Sequence, residues 1–442
     1  MCLSVIILGK FEGCVNKNSY KYRKIKTIMK GYQIILLISY ILIALFGYWL
    51  KSLNLRHLRK YGDVVPEEFK DYIDSDLLKK TRDYTVEHSK FGFIESIFGN
   101  ILVLAFFFGG LLNMYNSWIA SFNMPFILSG IVFFLVLSYA NTIISIPFDL
   151  YSTFRIENKY GFNTMTWKLW ITDFIKSIIL STIFTGIMAA AALYLMKASP
   201  DFWWLFVWLF FLLFSIFMMY ISPYIIEPLF NKFTPIKDEE IEGSIRDLMK
   251  KAGIKISRVF KIDASKRSSH TNAYFTGIGK VKRIVLYDTL LQKMERSEIL
   301  SVLAHEAGHW KKKHVLKMII VIEAMSLIGI YISFMMIKSG ILIRIFNIQN
   351  DTVFANLLIL GFVGGIVSFP LTPIFSYFSR RHEREADRFA AEMTENREAM
   401  ATSLIKLSKD NLSNLYPHPL YASFYYSHPP VVQRIREIRG KP

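Results

Sequence analysis

A chain of 442 residues has room for roughly three soluble domains, but its composition excludes that reading: 52% of residues are apolar, 15% aromatic, 37 are Phe and mean hydropathy is +0.31. The 53 Lys and Arg exceed the 35 Asp and Glu for a net charge of +18, which fits the cationic loops of a polytopic membrane protein and not a nucleic-acid partner. Two cysteines, Cys2 and Cys14, exclude a disulfide framework, a Cys-rich zinc finger and an iron–sulfur centre.

In chain order, residues 1–31 form an extension of doubtful status, with seven Lys/Arg in 1–30 against the single acid Glu12. Met29 is an alternative start that opens directly on the first apolar run, and residues 1–15 make a poor signal peptide because the basic block follows the apolar stretch. Seven apolar segments come next, at about 32–50, 96–116, 126–147, 175–196, 202–225, 316–337 and 353–378, several reaching the ~18–20 residues that cross a bilayer. The chain thus divides into a five-span unit (32–231), a polar insert (232–315), two more spans (316–378) and a polar C-terminal region (379–442), with no internal repeat. The charged block 51–95 reads as helical from Pro66 onward.

Lys and Arg counts orient the spans. Loop 117–125 has none, 197–201 has one (Lys197) and 338–352 has two (Lys338, Arg344). By contrast 51–95 has nine, 148–174 three, 232–317 nineteen and 379–442 eleven. The rich set is expected on the cytoplasmic side with the N-terminus outside, where the basic residues of 1–30 are a misfit. Within the insert, 238–252 predicts an amphipathic helix. Val259–Asp263, Ala273–Thr276 and Arg283–Tyr287 predict short strands, with GIGK (277–280) as turn material. Ser297–His314 predicts a further helix, making a small α+β unit between two spans.

That last helix carries His305-Glu306-Ala307-Gly308-His309, an HExxH motif. Positions i and i+4 share one helix face, so two imidazoles reach one ion while Glu306 sits where it can take a proton from water. The same pattern also suits a solvated helix with two surface histidines. Catalytic zinc needs a third protein ligand. His314 lacks the metzincin spacing, and Glu323 lies inside the sixth apolar segment, where it is expected to face a polar cavity or a neighbouring helix. Glu383 is the better candidate. On a helix, Glu383 and Asp387 lie one turn apart on one face, one for the metal and one to orient a ligand histidine, whereas Glu385 points about 200° away. This spacing is equally that of a charged juxtamembrane helix.

The stretches VPEEF (65–69), DYTVEHSKFGF (83–93), YSTFRIENKYGFN (151–163), SSHTNAYFTG (268–277), RIVLYDTLL (283–291), LAHEAGHW (303–310), RRHEREAD (380–387) and YSHPP (426–430) run in order over nearly everything after residue 50. Together they resemble the type I CAAX prenyl proteases, integral-membrane zinc metallopeptidases of the gluzincin group. The resemblance implies an all-α polytopic membrane protein with seven transmembrane helices around a capped intramembrane chamber and a small α+β metallopeptidase insert. It implies zinc, one per chain, held by His305, His309 and Glu383, with Glu306 as general base and Asp387 as partner of a ligand histidine. His428 and Arg434 correspond to the residues that hold the substrate carbonyl, and Asn272 and Ala273 fall in the substrate-binding edge strand; His270 and Tyr274 read as structural. The sequence departs from the family at His382, Arg384 and Glu385, where two aromatics and a neutral residue are common, and its length favours a bacterial member.

The function so implied is a membrane-embedded zinc endopeptidase acting on CAAX-type or other membrane-associated polypeptides, with or without a prenyl group. The alternatives are a quality-control protease with no prenyl requirement and a catalytically silent scaffold or transporter. The expected partners are a peptide or protein substrate and the lipid bilayer, with no nucleic acid, for a monomer. Its expected location is the cytoplasmic membrane if bacterial or the endoplasmic reticulum membrane if eukaryotic, with the site toward the cytoplasm.

Overall fold

The computed structural model of the protein describes residues 5–276 and 281–440, so the turn expected at 277–280 lies outside the described residues, as does Cys2. Seven helices among the described residues are long and apolar enough to cross a membrane: Thr27–Tyr61, Ser75–Phe108, Phe126–Tyr160, Trp167–Ala198, Trp203–Phe230, His314–Ser339 and Val353–Thr394. They are the first to seventh spans below. Side-chain caps fix where several begin: Asp74 accepts from the Leu77 N–H at 2.8 Å, Thr166 from Leu169 at 3.2 Å and Thr352 from Ala355 at 3.3 Å.

The helices run past their apolar segments, because hydropathy marks where lipid ends and not where a helix ends. The first is continuous over Val5–Tyr61, across the boundary expected at residue 31. The seventh continues through 378–379 to Thr394, tightened at Phe369–Leu371 where Pro370 and Pro373 lack N–H donors. The second apolar run, 96–116, is two helices and not one. The span stops at Phe108, and after Gly109 and the left-handed Gly110 (φ 87°) a separate helix runs over Leu111–Ser121. The helix expected over 297–314 ends at Lys311; Lys313 turns left-handed (φ 56°) and His314 opens the sixth span.

The insert holds a four-stranded sheet of β1 (Phe233–Pro235), β2 (Lys255–Ile262), β3 (Ala273–Thr276) and β4 (Val281–Tyr287) in the order β1-β2-β4-β3. β2 and β4 are parallel and the other pairs antiparallel. Its hydrophobic core joins Ile245, Met249, Ile284, Leu286, Leu303 and Ala304 to Ile405 and Ile435 of the C-terminal region. The insert and residues 379–442, separate in sequence, therefore share one core. A second core, including Leu112, Ile119, Phe133, Leu193, Trp203 and Phe354, closes the other end of the spans.

Between the two cores the helices do not form a solid bundle. At most 17% of the apolar window of any span is buried, and none of it in the second and sixth. Such low burial leaves room for the chamber that the sequence resemblance implied, with lipid-facing surface accounting for part of it. Glu323, in the sixth span, is half-buried beside the fifth. Its backbone carbonyl accepts from Trp208 Nε1 at 3.1 Å and its carboxylate from Ser326 Oγ at 3.3 Å.

Five spans separate residue 121 from the C-terminal region. Single cysteines at exposed Ser121 and Gln433, in a chain with Cys2 and Cys14 replaced, are expected to label with a membrane-impermeant thiol reagent from opposite sides, Gln433 from the cytoplasm. Labelling of both from one side contradicts the seven-span topology.

Candidate metal centre

The HExxH helix, Arg296–Lys311, is fixed at its start by a capping box between Glu295 and Glu298. The buried Glu298 also pairs with Lys406 of the C-terminal region at 2.8 Å. One turn further on, Ala304, Ala307 and Gly308 are buried against the seventh span's polar extension, Thr372–Thr394. A Cβ on Gly308 would meet Ala386 Cα at 3.1 Å, Ala386 O at 3.2 Å and a Phe389 ring carbon at 3.2 Å. The missing side chain lets the two helices come close enough for Glu383 to reach the histidines. The sequence alone left the glycine of this motif without a role.

His309 Nε2 lies 3.1 Å from His305 Nε2 and 3.1 Å from Glu383 Oε1, and His305 Nε2 lies 3.4 Å from Glu383 Oε2. Zinc bonds of about 2.1 Å at tetrahedral angles put neighbouring ligand atoms about 3.4 Å apart, so the triangle has the right size. The chemistry fits as well. Glu383 Oε2 is buried and makes no hydrogen bond among the described residues, an arrangement that is costly unless a cation is shared. Of the described residues, these three form the cluster able to hold an ion.

Asp387 Oδ1 lies 2.8 Å from His305 Nδ1, the far side of that ring from the metal position, which is the carboxylate–histidine arrangement that fixes a ligand imidazole. Burial alone would depress the His305 imidazole, but Asp387 and Glu383 outweigh it and push its pKa up to about 9. A cation bound there would displace that proton. Burial pushes the Glu306 carboxyl above its ordinary range. Glu306 makes no hydrogen bond or ion pair among the described residues, which leaves it free to accept a proton.

Arg434 is buried, and its Nε and Nη2 donate to both oxygens of Asp387 at 2.8 and 2.6 Å. Its Nη2 also lies 3.5 Å from Glu383 Oε2. The bidentate pair fixes the carboxylate that fixes His305, a task the spacing to His428 did not suggest. His428 lies on the open side: its ring is 59% exposed and Nε2 is 3.4 Å from Glu383 Oε1. Ala273 is buried in edge strand β3, which packs against the HExxH helix, and the Asn272 carbonyl accepts from Tyr287 N–H at 3.1 Å. His270 stacks on Phe162 and meets Asn411 Oδ1 at 2.8 Å, while Tyr274 donates to Glu227 at 2.8 Å. Both tie the insert to other elements.

Two residues set aside as metal ligands in the sequence, His314 and Glu385, meet behind His309. His314 Nδ1 lies 3.2 Å from His309 Nδ1, and its Nε2 meets Glu385 Oε2 at 3.1 Å. It also stacks on His382 at 4.1 Å. Glu385, rejected as a ligand because it points away, faces His314 and Arg381 instead. The signal was present as a histidine just beyond the HExxH helix, but only the left-handed turn at Lys313 brings it back.

Two histidines and a glutamate grouped so that they could hold an ion, an unpaired carboxylate within the motif and seven apolar spans have the form of a membrane-embedded metallopeptidase. Residues 54–232 match the family model described as CAAX prenyl protease N-terminal, five membrane helices, and residues 235–441 match peptidase family M48. The chain belongs to peptidase family M48, and it is an integral-membrane zinc metalloprotease. Over 390 residues it is 33% identical to the CAAX prenyl protease 1 homolog of Arabidopsis thaliana, covering 86% of this chain and 91% of that one. It is 34% identical to CAAX prenyl protease 1 of Saccharomyces cerevisiae (90% and 94% covered) and 31% to the metalloprotease YhfN of Bacillus subtilis (90% and 94%). A crystal structure of S. mikatae Ste24p matches with TM-score 0.84 at 30% identity, covering 92% of this chain and 98% of that one.

Metal analysis of purified variants separates the acids. Glu383→Ala is expected to empty the site, Asp387→Ala to weaken zinc by ~10–100-fold, and Glu385→Ala to keep the zinc. Equal zinc content in the Glu383 and Glu385 variants contradicts the assignment.

Proposed function

We propose that the protein is an endopeptidase that cuts extended, membrane-anchored polypeptides of the CAAX type, and that prenylated chains are its preferred substrates. In this reading a monomer holds one zinc and works from the cytoplasmic side. The observation that carries the reading is the position of the three candidate ligands at one end of seven spans whose apolar windows are little buried in protein. A substrate with a lipid anchor can then keep its hydrocarbon away from water while its backbone reaches the metal.

Bound zinc would supply Lewis acidity toward the scissile carbonyl and acidify the attacking water. Glu306, unpaired and beside both ligand histidines, takes the proton from that water and returns it to the leaving amine. His428, open on the substrate side, donates to the carbonyl oxygen as negative charge develops there. Arg434 acts one step back, holding Asp387 and through it His305. The backbone around Asn272 and Ala273, on the edge strand of the sheet, offers an extended peptide a register in which to pair. Attack by water gives two free peptides and no covalent enzyme intermediate.

Glu306→Gln is expected to keep zinc and fold while cleavage falls by ~10²–10⁴-fold; near-normal cleavage by that variant overturns the proton-transfer assignment. Two peptides of one CAAX sequence, farnesylated and not, test the substrate. Burying only about 60 Å² of isoprenoid is worth about 1.4 kcal/mol, so kcat/KM is expected to be at least about tenfold higher for the farnesylated peptide. Equal kcat/KM would instead make the enzyme a protease of membrane polypeptides at large.

A further inference from the structure

We propose that a cationic cleft at the metal-site end of the fifth span binds the phosphate of an anionic lipid headgroup. The proposal is independent of the proteolytic reading. The cleft, about 620 Å³, is lined by Tyr224, Lys232, Phe233, Arg258, Phe260 and Arg283 together with Pro223, Pro228, Asn231 and Ser257. It contains three cations and no acid.

Arg258 and Arg283 are direct partners in the parallel register of β2 and β4, next to an irregularity between Ile256 and Arg258. Like charges directly opposite on neighbouring strands are destabilising, and irregularities of this kind re-aim side chains. Nothing among the described residues compensates: Arg258 and the Lys232 side chain are exposed and make no ion pair there. The nearby acids are engaged, Glu227 by the Tyr274 hydroxyl, Asp263 by Lys266 and the Lys232 backbone N–H, and Asp173 by Arg267.

Arg283 is held for presentation. Its guanidinium carbon sits 4.6 Å from the Phe260 ring centre, 4.8 Å from Tyr224 and 5.4 Å from Phe233, while Nη1 donates to the Pro223 carbonyl at 3.0 Å. Its Nε is buried and has no hydrogen-bond acceptor among the described residues. A guanidinium fixed by three rings and a carbonyl, beside two exposed cations that make no ion pair among the described residues, concentrates positive charge suited to a phosphate.

The position selects a lipid over a free ion. The cleft opens at the last turns of the fifth span, where Tyr220, Tyr224, Ile225 and Leu229 are exposed. Tyrosines at that level mark the headgroup layer, and an apolar surface running into a cationic one suits a molecule with a hydrocarbon tail and an anionic head.

The test uses the full chain in neutral detergent, with thermal unfolding read against dioctanoyl phosphatidic acid, dioctanoyl phosphatidylcholine and inorganic phosphate. Phosphatidic acid is expected to raise the midpoint saturably, and the other two are not. Arg258→Ala and Lys232→Ala are each expected to weaken half-saturation about fivefold. Neither should lower the lipid-free midpoint, because both side chains are exposed and removing Arg258 relieves the arginine juxtaposition. Phosphatidic acid saturation unchanged in both variants overturns the site. An equal shift from inorganic phosphate overturns the lipid assignment, and an equal shift from phosphatidylcholine overturns the requirement for net negative charge.

Discussion

How closely the HExxH helix can approach the helix bearing Glu383 governs everything at the catalytic end. The first belongs to the insert and the second is the extension of the seventh span, so the chain crosses the membrane twice between them. Their contact is set at Gly308, whose missing Cβ leaves the Ala386 backbone and the Phe389 ring at van der Waals range. Any side chain there would push the carboxylate away from the two imidazoles. Ligand atoms set within a few tenths of an ångström of tetrahedral spacing do not tolerate such a displacement.

The two cores divide the remaining work. One is shared by the insert and the C-terminal region, so the segment that carries His305 and His309 and the segment that carries His428 and Arg434 are packed against one another. The other ties the short helix Leu111–Ser121 to the ends of the spans away from the metal. With both ends fastened, the spans need no packed interior, and the open space between them can admit a substrate. A membrane helix without interior packing still keeps all its backbone hydrogen bonds, which makes a hollow assembly possible in lipid.

Hydropathy made the seven spans legible, and the i,i+4 histidines made the metal motif legible, because both are local periodicities. The choice of Glu383 over Glu385 also rested on local geometry, one helix face against another. What stayed hidden is non-local. The pairing of Arg434 with Asp387 joins residues on different helices, and the backing of His309 by His314 and Glu385 depends on a single left-handed residue, Lys313. The break after Phe108 was written in Gly109 and Gly110, but an apolar run on both sides masked it. Helix ends beyond the apolar runs were illegible because the polar extensions are held by tertiary contacts and not by lipid.

The buried electrostatics explain why such a site persists. Two buried carboxylates, Glu383 and Asp387, with Glu306 beside them, face one buried guanidinium, Arg434, which leaves an excess of negative charge in a desolvated pocket. Such an imbalance is expensive away from water. A divalent cation would offset it, and so would a proton on His305, whose pKa the neighbouring carboxylates push up to about 9, though in smaller measure. The Arg434–Asp387 pair therefore lowers the charge that the metal must neutralise, and at the same time fixes the carboxylate that orients His305. Removing the arginine would leave His305 as the partner of Asp387 and would raise the negative excess, so one side chain bears on both the geometry and the charge of the candidate metal site.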